Sequence, residues 1–73
     1  MENTIIQITR TATQIYNALT YAEVNSAYQP DTRRMMREER FALRAALESG
    51  SRANIASAMS EVQRVAEMWG VTL

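Results

Sequence analysis

Thr4-Ile5-Ile6-Gln7-Ile8-Thr9-Arg10-Thr11-Ala12-Thr13, continuing to Tyr28, decides the fold because it reads two ways. As a strand it offers β-branched residues through its first half, with Thr9, Thr11 and Thr13 alternating with Arg10 and Ala12. As a helix it offers Ile5, Ile8, Ala12, Ile15, Leu19 and Ala22, separated by alternating steps of three and four. The alternation stops near Thr13, whereas the three–four spacing runs through the whole segment. The spacing therefore predicts a helix over residues 4–28, with the turn before Ile8 expected to fray.

Outward from that stretch, Gln29-Pro30-Asp31-Thr32 and Ser49-Gly50-Ser51 punctuate the chain, and Gly70 stands near its end. Proline suits a first helical turn, and glycine closes helices in the left-handed conformation. A second helix is expected over 30–49, where Met36, Leu43 and Leu47 form a core line widened by Met35, Ala42 and Ala46. A third is expected over 51–69, capped by Ser51 and striped by Ile55, Met59, Val62, Ala66 and Trp69. Gly70 with Val71 forms a Schellman ending there, Val71 reaching back to Ala66. The link between the second and third segments is too short for anything but an antiparallel αα-hairpin. The expected architecture is all-α: one domain over residues 1–73, a small three-helix bundle in which a long helix lies along that hairpin.

Seventy-three residues are near the lower limit for a core that folds unaided. Small domains compensate with disulfides, metals or association. This chain has neither cysteine nor histidine, so association is the remaining route and a homo-oligomer is expected. Without Cys, His or Lys there is no thiol nucleophile, imidazole base or Schiff-base amine, and two glycines make no phosphate loop. Adjacent Glu38 and Glu39 point about 100° apart on a helix and do not converge on one substrate. Glu61 and Glu67 flank Arg64 as intrahelical ion pairs. The expectation is a non-enzymatic protein with no cofactor and no metal. No leader and no bilayer-length apolar run are visible, so the expected location is cytoplasmic, away from membranes.

Two surfaces are candidates for partner binding. Arg33, Arg37, Arg40 and Arg44 recur at spacings of four, three and four along one face of the second helix. Phe41 is expected beside Arg37 and Arg44. Arginine and aromatics together are what interface hot spots favour, so this row suits an acidic patch on a protein partner. Against that stands a solvated face neutralised locally by Arg34–Glu38 and Arg44–Glu48 pairs, with Arg40 snorkelling over the core edge. Four aligned cations repel one another unless something neutralises them. If the row binds, charge reversal at Arg37 and Arg40 is expected to abolish capture and leave helicity intact. The second surface is a further apolar line, Tyr21, Val24 and Tyr28, roughly opposite the Ile15–Leu19 stripe. A bundle covers one side of a helix well, so this line is free to meet a partner or a second copy.

A helix-turn-helix reading is the alternative. Ala46, Gly50, Ala56 and Met59 stand at the small, turn and apolar offsets of that motif, but Ser51 replaces an apolar residue. Eight arginines against eight carboxylates leave no net charge to draw the chain to phosphates. Nucleic acid is therefore the less favoured partner, and a structural subunit of a larger assembly is a third reading. Size, neutrality and missing catalytic residues fit the small accessory proteins of phages and mobile elements, many of which bind and block a host protein as inhibitors.

Overall fold

The computed structural model describes residues 4–73 and is all-α: α1 spans Thr4–Val24, α2 Pro30–Ser49 and α3 Arg52–Met68. There is no strand among the described residues. The β-branched opening is helical from Thr4, and the threonines show how. Thr11, Thr13 and Thr20 each donate their hydroxyl to the carbonyl four residues back, at 3.2, 2.8 and 3.0 Å. A hydroxyl that back-bonds in this way satisfies itself within the helix and gives up its claim on a sheet.

α1 stops at Val24, four residues short of the expected end at Tyr28. Two local forces end it. Asn25 accepts a hydrogen bond on Oδ1 from the Ala27 N–H at 2.9 Å, an Asx turn that competes with the helical ladder. Gln29 precedes proline and is extended, with φ −63° and ψ 152°, because the proline ring disfavours helical geometry behind it. Tyr28 thus lies in the connection and not on the face of α1.

The other boundaries fall close to those expected. Gly50 ends α2 at φ 68° and donates its N–H to the Leu47 carbonyl at 3.2 Å. Ser51 caps α3, its hydroxyl accepting from the Asn54 N–H at 3.2 Å. At the far end the Gly70 N–H reaches Glu67 O at 3.2 Å and the Val71 N–H reaches Ala66 O at 2.8 Å. That pair of bonds is the complete Schellman motif, with Gly70 at φ 70° and Val71 buried beside Ala66 in the core cluster.

The three helices pack on one core of Ala12, Leu19, Ala22, Met36, Leu43, Ala46, Ile55, Val62, Val65, Ala66 and Val71. α1 packs most extensively on α2, α3 packs less on α2, and α1 meets α3 least. The molecule is a rod of 42 × 18 × 18 Å with a radius of gyration of 12.3 Å, above the ~11 Å of a compact domain this long. Ala42 and Trp69 depart from their expected core places. Ala42 is exposed in the groove facing α3, and Trp69 has left the α3 stripe at the C-cap, where the chain turns off the helix axis.

Candidate functional site

Only the middle of the arginine row, Arg37 and Arg40, is brought together, and that against α1. α2 lies beside α1 with Arg37 and Arg40 reaching Glu23, the penultimate residue of α1. Arg40 donates Nε to Glu23 Oε2 at 2.6 Å and Nη2 to Oε1 at 3.2 Å, and Arg37 Nε reaches Oε1 at 3.1 Å. The remaining Arg40 Nη1 donates to the Tyr16 hydroxyl at 3.0 Å. The Arg40 guanidinium also lies over the Tyr16 ring at 5.6 Å and the Phe41 ring at 4.8 Å, so it is held by charge, hydrogen bonds and two aromatic faces. Phe41 therefore stacks on Arg40, its neighbour in sequence. The Arg40 hydrogen bonds, opposed by burial and helped by those of Arg37, pull the Glu23 carboxyl below the usual carboxylate range. Hydrogen bonds to Glu23 and then to Tyr16 hold Arg40 still more firmly protonated.

The rest of the row divides. Arg44 pairs with Glu48 at 3.3 Å on the solvated face, as the spacing suggests. Arg34 takes Asp31 at 3.5 Å in place of Glu38. Arg33 Nε is buried with no hydrogen-bond partner among the described residues. Like charges on α2 are thus relieved by a carboxylate from another helix. Spacing along α2 alone gives no sign of that, because it depends on how α1 docks.

The tyrosine line fares differently. Tyr21 is 76% exposed and Val24 is 70% exposed, while Tyr28 is half-buried against the core. Tyr21 and Tyr28 still meet, across an open hollow lined also by Ala18, Ala22, Asn25 and Thr72. Val24 does not line it. The hollow places the chain's last residues next to the end of α1, and Met68, Trp69 and Leu73 add exposed apolar area at the end of α3. The sequence pattern missed this C-terminal contribution, since Trp69 reads as core and Met68 falls off the stripe.

A second concavity, an open groove of about 510 Å3, lies between α2 and α3 and is lined by Ala42, Ala45, Ala46, Asn54, Ser57, Ala58 and Glu61. Of the helix-turn-helix offsets, Ala46 is buried but Ala56 is exposed. No group of three or more acidic side chains among the described residues is arranged to hold a metal ion. No helix among them is long and apolar enough to cross a membrane.

Fold and surface together define a class, a three-helix all-α chain whose exposed aromatic and aliphatic side chains include Tyr21, Val24, Met68, Trp69 and Leu73 toward one end, with Ile6 and Phe41 exposed elsewhere. Comparison with protein-family models, with curated proteins and with solved structures gives no match.

Proposed function

We propose that this chain is a non-enzymatic helical interaction protein that binds a protein partner, and that the Tyr21 end is the surface it uses. The exposure of Tyr21 and Val24 carries the reading. A folded chain gains little by presenting a tyrosine and a β-branched aliphatic to water on adjacent helical turns, and tyrosine combines contact area with a polar tip. The Tyr21–Tyr28 hollow gives a partner side chain a place to enter, and the apolar C-terminal residues widen the patch. The arginine row is the weaker choice, because Arg37, Arg40 and Arg44 already have carboxylates within the chain. An acidic patch or a nucleic-acid backbone would have to displace Glu23 or Glu48 to engage them.

The two-residue connection Gly50–Ser51 supports an antiparallel pairing of α2 with α3. Zero net charge and the rod's large surface for its volume support self-association. The test is a pull-down with the immobilised chain, with captured proteins identified and their stoichiometry measured. The double variant Tyr21→Ser, Val24→Asp is expected to lose the captured protein and keep its helical circular dichroism, since both side chains are exposed. Undiminished capture by that variant sinks the assignment. Sedimentation across concentrations reads out self-association by the same pair of proteins.

A further inference from the structure

α2 carries a carboxylate with a very different fate from that of Glu23 on α1. Glu39 is half-buried, and its Oε1 is shielded from solvent with no hydrogen-bond partner among the described residues. It lies three residues before Ala42 and seven before Ala46, on the stripe of α2 that lines the groove toward α3. The charged groups that bear on it are Glu61 and Arg64 from α3 and Glu38 on its own helix. Arg64 is already committed, donating Nη2 to Glu61 Oε2 at 2.6 Å and Nε to Oε1 at 3.2 Å, with Nη1 turned to Met68 Sδ at 3.6 Å. The carboxylate that α1 brings to α2, Glu23, is taken up by Arg37 and Arg40. The charges gathered about Glu39 are thus two other carboxylates, Glu38 and Glu61, and a single cation, Arg64, that is already taken.

We propose that Glu39 is a proton-operated fastener between α2 and α3: neutral, it lets the two helices close, and charged, it loosens them. Burial first, then the Glu61 charge, push its carboxyl above the usual range, while Arg64 only partly offsets them. The sign follows from linkage. A raised carboxyl means that the folded chain holds the proton more tightly than the unfolded chain does. The cost of the charge is thus fully present above the folded value and is relieved as pH falls through it toward the ordinary value of 4.5. Glu23 and Glu61 have the opposite sign and lose their contribution at lower pH.

The experiment compares thermal midpoints of the wild-type chain and Glu39→Gln between pH 4 and pH 8, with Glu38→Gln as the exposed neighbour. Taking the difference from wild type at each pH cancels the titrating groups that do not interact with Glu39. Glu39→Gln is expected to melt about 4 °C higher at pH 8, with the gap closing toward zero on acidification. Glu38→Gln removes only the smallest of the charges that bear on Glu39 and is expected to open a smaller gap than Glu39→Gln does. A Glu39→Gln difference that is independent of pH, or a lower midpoint at pH 8, overturns the proposal. The carboxyl resonance of Glu39 in the wild-type chain, followed by NMR through the same range, is the second measurement. A midpoint at or below the ordinary value overturns it as well.

Discussion

α1 against α2 and α3 against α2 are two ways of closing a helix pair, and the same helix shows both. Along one edge of α2, a single carboxylate from α1 satisfies two guanidinium groups, while a tyrosine hydroxyl and two aromatic rings complete the environment of Arg40. Along the other edge, the residues are small, the groove stays open, and Glu39 keeps an oxygen without a partner among the described residues. A polar cluster inside a fold stabilises when every member is satisfied and costs free energy when one is left over. The first edge is the more extensively packed, and its one shielded atom without a partner among the described residues, Arg33 Nε, stands apart from the Glu23 cluster.

Mutation can break or sharpen that contrast. The largest effect is expected from Leu43→Ala, which empties a fully buried site in the common core. Urea unfolding should show a loss of about 2–5 kcal/mol, the scale set by the missing contacts and the residual cavity. Glu23→Ala strikes only the first edge. It leaves Arg40 largely shielded without its anion and is expected to cost about 1–2 kcal/mol. The Glu23 carboxyl sits below the ordinary 4.5, so its contribution is present above that pH and fades as pH falls through the folded value. Acid titration of the variant should accordingly lack part of the wild-type loss of stability below pH 4.5. Ser51→Ala removes the cap of α3 and should cost about 1 kcal/mol by the same urea assay. Smallest, and opposite in sign, is the gain from Glu39→Gln. A loss there would mean that the second edge is as well satisfied as the first.

Much of the fold was legible in the pattern of residues. The three–four spacing from Ile5 to Ala22 identified α1 against its β-branched composition, and Pro30, Gly50, Ser51 and Gly70 marked boundaries through backbone chemistry that acts locally. The end of α1 was missed because an Asx turn at Asn25 interrupts a spacing that would otherwise continue to Tyr28. The site was less legible. Exposure of Tyr21 and Val24 follows from helical geometry, but the neutralisation of Arg37 and Arg40 by Glu23 depends on how two helices dock. Charge reversal at those arginines therefore disturbs the α1–α2 edge along with any partner, which makes Tyr21 and Val24 the cleaner probes.

Trp69 leaves the core at the point where α3 ends, 37% exposed and three residues before Thr72 in the wall of the tyrosine hollow. It is the sole tryptophan of the chain. The indole is thus a built-in fluorophore at the end proposed for docking, and its emission is expected to shift to shorter wavelength when that end is covered and dehydrated. Titration with a partner, or concentration of the chain itself, needs no attached dye to be followed.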